Sequence, residues 1–361
     1  MKIALFSLFN SFYSGGRIHA WFMVEALAAM GHNVTVFTNQ YPIFFNDFDY
    51  LPGHEQIAVR LLDGFRTAGL DETYDVVVLV PDLSGDLRYY VNLLVFIAKM
   101  DAKVVLLNFE TSNWKRALCT YGYGSYHENG IRAVAPHCDL IISSTHISRE
   151  FATQYFGAYA KHALHEVCYP PIHAHVVDRL GKIMRRDRIV VLSRLYPRHK
   201  NSHLLLQLVC PEMQGYEVVL IDGMDRKDPA TCTYLSAACR RIGARFIYRS
   251  KLNERQKFEL MKSARLTIFP STFEGFGLPP VESLYCGTPC VCFDLDVLIE
   301  VNGDAPVYAR LGDFGDMRSK IQMVLRAPDE FARPLHTLRY RGDFDRFSAK
   351  LHAVFERLTG K

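Results

Sequence analysis

The sequence predicts an α/β protein made of two doubly wound parallel sheets in tandem, and three observations carry this. Strand-length apolar runs alternate with helix-length stretches in both halves, the pattern of βαβ units. The runs are continuously apolar rather than alternating, as strands covered on both faces must be. The alternation pauses once, near the middle, at a stretch carrying a proline pair and a basic cluster, and then restarts. A length of 361 residues with 49% apolar content suits two or three domains with sizeable cores.

The elements justify themselves in order. "KIALFSLF" (2–9) is a buried strand; residues 17–30 then read as a helix that Gly31 stops, and "NVTVFT" (33–38) completes a βαβ unit. Further strands are expected at 74–80, 102–109 and 138–145, with the helix "LRYYVNLLVFIAKM" between the first two of these. The interdomain linker is expected at 168–188. Beyond it come strands at 189–195, 216–222, 245–250, 265–271 and 289–294. Helices are expected at 201–209, at 231–242 and after Asn253, where Gln256 completes a capping box. At the C-terminus Phe344, Phe347, Leu351, Val354, Phe355 and Leu358 share one helical face, which predicts a helix docked on a core.

Composition narrows the function. No apolar run reaches the about 18–20 residues of a spanning helix, and the N-terminus lacks a small-residue cleavage site, so a cytoplasmic protein is expected. The nine cysteines are scattered without a CxxC and read as buried reduced thiols. Residues 1–175 carry 12 basic and 16 acidic side chains, against 30 and 22 in residues 176–361. The basic second half suits an anionic ligand. No recognition helix, zinc finger or RNA-binding strand is legible, so no nucleic-acid partner is expected.

Chemistry concentrates in "FPSTFEGFGLPPVESLYCGTP" (269–289). It reads as a strand ending at Pro270, a glycine-punctuated loop, and a helix with Pro280 at its first position, ended by Gly287. Glu274 then lies in a loop at the carboxyl end of a strand, where open α/β sheets bind ligands, and Glu282 in the first helical turn. A carboxylate there can accept two hydrogen bonds from a vicinal diol such as a ribose, and Glu274 can hold hydroxyls of a second sugar. The alternative is that Glu282 complements the helix dipole and Glu274 is solvated. Arg194 and Lys200 fall at the ligand end of the same half-sheet and could neutralise a diphosphate; solvation of both is the alternative. Gly15 and Gly16, between the first strand and first helix, form a phosphate-approach turn or simply a turn that needs small residues. Asp294 and Asp296 make a DxD pattern that reads as incidental.

These stretches together resemble the retaining glycosyltransferases of family 4. "FPSTFEGFGLPPVESLYCGTPCVCFDLDVLIEVNGDAPVY" is similar to that family's E-x7-E region, "SRLYPRHKN" to its Arg…Lys segment, "VVLIDGMD" to its strand ending in glycine, and "SGGRIHAWFMVEALAAMGHNVTVFT" to its N-terminal signature. The resemblance implies the GT-B fold: two Rossmann-like doubly wound parallel-sheet domains, 1–172 and 185–340, facing a central cleft, with residues 341–361 as a helix crossing back to the first. It implies that Arg194 and Lys200 hold the donor diphosphate, that Glu282 binds the nucleotide ribose, and that Glu274 binds the transferred sugar with backbone N–H groups of Phe276, Gly277 and Leu278. Gly15 and Gly16 would close on the phosphates, Gly223 would end its strand at the site, and the base would lie near Ser250 and Leu252. Many relatives carry a sugar-contacting histidine where this chain reads "LLNFETSNW"; Asn108, Glu110 or His127 would take its place. Ser193 stands where the family has glycine before Arg194, as does Ser250 near the base, which leaves the base open.

The implied activity is transfer of a hexose-type sugar from a UDP- or GDP-sugar to a hydroxyl of a glycan or lipid-linked acceptor, with retention, without a metal or other cofactor. Lys200, Arg194 and helix N-termini would stabilise the departing diphosphate, whose oxygen takes the acceptor proton, and domain closure would exclude water. A peripheral membrane contact is compatible with this. Its rivals are a sugar-nucleotide epimerase or phosphorylase on the same fold, and a non-catalytic nucleotide-sugar sensor.

Overall fold

A computed structural model describes residues 1–9, 15–42, 45, 51–63, 66–67, 70–81, 87–118, 126–193, 200–223, 227–340 and 342–360, without the side chains of residues 126 and 127. The chain divides into two compact units: one takes in the N-terminal strand, Gly15–Pro170 and Phe344–Lys361, the other Pro171–Asp343.

The first unit runs β1 (Lys2–Phe6), α1 (Gly15–Ala29), β2 (Asn33–Thr38), β3 (Ile57–Leu61), β4 (Val76–Leu79), α2 (Leu87–Ile97), β5 (Lys103–Asn108), α3 (Ser112–Leu118), α4 (Tyr126–Val134), β6 (Leu140–Ser143), α5 (His146–Phe156) and β7 (Leu164–Val167). Its seven strands lie in the order β3-β2-β1-β4-β5-β6-β7, all parallel. In β4 and β6 every residue is buried, which is why these strands read as unbroken apolar runs. The edges differ: β3 buries only Ile57 and β7 only Val167. Neither shows a continuous apolar run, and the sequence reading passed over both. α1 is buried almost all round, as a helix apolar on every side should be.

The second unit runs α6 (Ala174–Arg179), β8 (Arg188–Leu192), β9 (Glu217–Asp222), α7 (Pro229–Arg241), β10 (Arg245–Ser250), α8 (Glu254–Lys262), β11 (Leu266–Phe269), α9 (Leu278–Tyr285), β12 (Cys290–Phe293), α10 (Asp296–Asn302), β13 (Val307–Ala309) and α11 (Phe314–Arg326). The sheet order is β10-β9-β8-β11-β12-β13, again all parallel. β13, a three-residue half-buried edge strand, was also missed. Side-chain caps fix the helix starts: Asp228 accepts from Ala230 and Thr231, Asp313 from Asp316, and Asn253 forms the expected box with Gln256 at 2.9 and 3.1 Å. Residues 201–209, expected as a helix, form a 3-10 helix at Ser202–Leu208. The 168–188 stretch is more than a linker, because α6 forms within it and packs on α8.

The last helix, α12 (Phe344–Thr359), packs on α1 through Phe347, Leu351, Val354 and Phe355. Phe347 lies 6.2 Å from the ring of His19, which also faces Phe109 and whose pKa burial lowers to about 3. Glu166 of β7 ties the helix down through Lys350 at 3.0 Å and Arg357 at 2.5 Å. Among the described residues no helix is long and apolar enough to cross a membrane.

Candidate functional site

The segment between β11 and α9 places Glu274 at the carboxyl end of the central strands of the second sheet. Gly277 caps α9 with φ +83°, and a Cβ there would lie 2.3 Å from Leu298 Cδ2, so only glycine fits. That left-handed cap starts the helix at Leu278, two residues ahead of expectation, and both Pro279 and Pro280 fall in the first turn where missing N–H groups cost nothing. Glu282 consequently sits in the second turn, and the first holds no acidic residue. Complementing the helix dipole, an effect confined to the first turn, is thereby a poor account of Glu282. No side chain caps α9, and with prolines at 279 and 280 Leu278 carries the one backbone N–H of its first three residues, at the end that favours anions.

Lys200, ahead of the 3-10 helix Ser202–Leu208, reaches this loop, and its ammonium pairs with the Glu274 carboxylate. It also lies 5.5 Å from the Phe269 ring centroid. The turn that carries it is pinned on both sides. Ser193 Oγ donates to the Lys200 carbonyl at 2.8 Å and sits 2.8 Å from Ser202 Oγ. Asn201, held at φ 55°, donates to Pro270 O at 2.8 Å and to Thr272 Oγ1 at 3.2 Å. The serine in place of a family glycine thus has a structural task, and Asn201 fastens the Lys200 turn to the segment leading to Glu274. Arg194 lies outside the described residues.

Glu282 is 5% exposed and belongs to a buried charge network that the sequence reading did not foresee. Its Oε1 is 2.7 Å from Lys257 Nζ on α8. The same ammonium meets Glu254 Oε1 at 2.8 Å, and Glu254 Oε2 meets His173 Nδ1 at 3.1 Å. Burial raises the Glu282 carboxyl; Lys257 opposes this and Glu254 reinforces it. Burial acts on Glu254 in the same direction, but Lys257 and His173 hold that carboxyl down to about 2. Burial works against the Lys257 charge, yet the two carboxylates raise its pKa. A signal for this network was available: Glu254 and Lys257 occupy the helical face of Phe258 and Met261, where buried apolar residues belong.

Of the remaining candidates in the second unit, Gly223 and Ser250 lie at the carboxyl edge of the sheet, as Glu274 does. Gly223 follows β9 and is half-buried; Ser250 ends β10; Leu252 precedes the Asn253 cap, after Lys251 at φ 54°. Leu252 lines an open groove of about 620 Å³ on the other face of α8 with Arg249 and Arg255. Phe276 packs edge-on against Tyr340 at 5.6 Å.

In the first unit, Gly15 and Gly16 are the first residues of α1 instead of a turn before it. A Cβ on Gly16 would come within 3.2 Å of the Phe109 ring, which accounts for a small residue there without a ligand. Asn108, expected from sequence as a sugar contact, is 3% exposed, and its amide nitrogen donates to Ser143 and Ser148 Oγ at 3.2 Å each, which braces β5, β6 and α5. Glu110 pairs with the buried Lys115 at 2.6 Å. The His127 side chain is outside the described set. Asp294 is half-buried and Asp296 exposed at the start of α10.

Comparison with known proteins fits this geometry. Residues 177–312 match the family model described as glycosyl transferases group 1. The O-antigen chain mannosyltransferase RfbU of Salmonella typhimurium is 25% identical over 168 residues, 46% of this chain and 46% of that protein. The MMP alpha-(1->4)-mannosyltransferase of Mycolicibacterium hassiacum is 34% identical over 119 residues, 31% of this chain and 29% of that protein. The chain thus spans less than half the length of these relatives. Among solved structures, Anabaena Alr3699/HepE in complex with UDP-glucose matches with a TM-score of 0.69 at 15% identity, covering 99% of this chain and 100% of that one. The fold is that of the GT-B glycosyltransferases: two Rossmann-like units, each with a parallel sheet.

Proposed function

We propose that this protein is a glycosyltransferase of glycan biosynthesis. It moves a hexose-type sugar from a UDP- or GDP-sugar to a hydroxyl of a glycan or lipid-linked acceptor in the cytoplasm, with retention at the anomeric carbon. The observation that carries the reading is the β11–α9 segment. A lysine-paired glutamate in the loop and a network-held glutamate in the helix that follows it stand inside the stretch that matches the group 1 family model. The mannosyltransferase names of the relatives favour a hexose, and the α linkage in one name favours retention from an α-linked donor.

In this reading the ribose diol donates two hydrogen bonds to the Glu282 carboxylate. The diphosphate lies at the start of α9 and is held by Lys200 and by Arg194, the two cations that the sequence assigns to it. Lys200 exchanges its Glu274 partner for a phosphate oxygen, which frees Glu274 to accept from hydroxyls of the transferred sugar. As the glycosidic bond to phosphate lengthens, negative charge grows on the diphosphate and positive charge on the sugar; Lys200 stabilises the first and Glu274 the second. The acceptor hydroxyl forms the new bond, and its proton passes to the leaving phosphate oxygen. Lys200 and Arg194 balance the diphosphate charge in this reading, which includes no metal.

A thermal-shift screen with UDP-glucose, GDP-mannose and ADP-glucose tests donor binding. One of them at about 100 times its Kd should stabilise the protein by about 2.7 kcal/mol. No rise in melting temperature with any nucleotide sugar would overturn the reading.

A further inference from the structure

The buried network under α9 is an unusual piece of construction. Three elements contribute to it: the segment ahead of α6 brings His173, α8 brings Glu254 and Lys257, and α9 brings Glu282. Their side chains are 2%, 4%, 14% and 6% exposed, so four polar groups have left water together. A buried ion pair is a weak source of stability, since desolvation offsets most of the attraction and apolar side chains of the same volume often serve the fold as well. The set is also unbalanced, with two carboxylates on one ammonium. Like charges this close cannot both stay ionised without that cation.

We propose that Lys257 is a positioning residue for the donor site: by pairing with Glu282 Oε1 it keeps that carboxylate ionised and oriented for the ribose diol, while Glu254, backed by His173, anchors the lysine. The inference rests on the reading that Glu282 binds the donor, and concerns what makes it competent to do so. A protonated Glu282 has an O–H where a diol needs an acceptor, so binding falls as the group takes up a proton.

The charged groups acting on Glu282 are Lys257 and Glu254 from α8 and His173 from the segment ahead of α6. Its own helix carries Tyr285, which pairs with Asp178, and the Cys286 thiol just past the helix end feels the Glu282 charge. β11 carries no ionisable side chain, and α10 packs through Val297, Leu298 and Val301, with Asp296 exposed and Glu300 half-buried. Lys257 is thus the cation in contact with Glu282, and Glu254 the carboxylate sharing it.

The experiment measures Kd by calorimetry, using whichever of UDP-glucose and GDP-mannose binds more tightly, from about pH 5 to pH 9. The variants are Glu282→Gln, Lys257→Met, Lys257→Arg and Glu254→Gln. In the unaltered protein affinity should weaken on acidification. Lys257→Met should move the midpoint of that loss upward by about one pH unit or more, because Glu282 loses its cation and keeps its like-charged neighbour. Lys257→Arg should restore the original midpoint. Glu254→Gln should move it downward, since Glu282 then has the lysine to itself, and this variant decides the matter should Lys257→Met fail to fold. Opposite shifts from the two α8 variants are not what a merely structural role would give. An unchanged midpoint in Glu254→Gln, or in folded Lys257→Met, overturns the proposal while the donor site stands. Unaltered affinity in Glu282→Gln overturns the donor assignment itself, and the inference with it.

Discussion

Glu274 in the loop and Glu282 in the helix after it are both paired to a lysine, but in different company. Glu274 meets a single ammonium, Lys200, delivered by a turn that Asn201 and Ser193 hold in place. Glu282 is locked into a four-residue network drawn from three elements. Glu274 has one cation to exchange when a ligand supplies a new partner for each group; Glu282 shares its cation with a second buried carboxylate, so moving Lys257 strands two. The difference suits their proposed tasks: the group facing the reacting sugar has to change partners, and the group gripping the nucleotide has to stay where it is.

The comparison is broken most severely at Lys257. Lys257→Ala strands two carboxylates in the interior and should cost about 3–5 kcal/mol of unfolding free energy, measurable in urea. Next comes Gly277→Ala, which forces a side chain into the left-handed region and against Leu298, and should cost about 1–3 kcal/mol. Lys200→Met likewise takes the cation from a largely buried carboxylate, Glu274, and should cost about 1–3 kcal/mol. Its turnover should also fall about 100-fold, because a cation facing the departing diphosphate is lost. Asn201→Ala removes the hydrogen bonds to Pro270 and Thr272 and should cost about 1–2 kcal/mol, while slowing transfer because Lys200 is no longer held near Glu274.

Acid titration sharpens the same contrast. The Glu254 pKa is held at about 2, below its ordinary value of 4.5, so the unfolded chain binds more protons than the folded one between these values. The stability Glu254 contributes is complete above about pH 4.5 and is lost as pH falls toward about 2. Glu254→Gln should therefore flatten the acid limb of the stability profile. An unchanged limb would show that the network does not hold that proton off.

The central strands were legible because burial on both faces leaves an unbroken apolar run, as in β4 and β6. The edge strands β3, β7 and β13 were not, since their exposed positions admit polar side chains and erase the pattern. At the site, Glu274 and Glu282 stood out through their glycine- and proline-marked loop. Lys257, Glu254 and His173 did not, because what joins them to Glu282 is packing between elements distant in sequence, and only the misplaced charges on the apolar face of α8 hinted at it. Asn108 shows the converse: the sequence marks a polar residue at a strand end, and its bonds to two serines of β6 and α5 become visible only in the fold.

The most direct measurement is a crystal structure with the tightest-binding nucleotide sugar. The account expects both ribose hydroxyls within about 2.6–3.2 Å of the Glu282 carboxylate, Lys257 still paired to it, and Lys200 transferred from Glu274 to the diphosphate. A nucleotide bound away from the β11–α9 loop, or a Glu282 carboxylate touching only Lys257 with the donor in place, would contradict it.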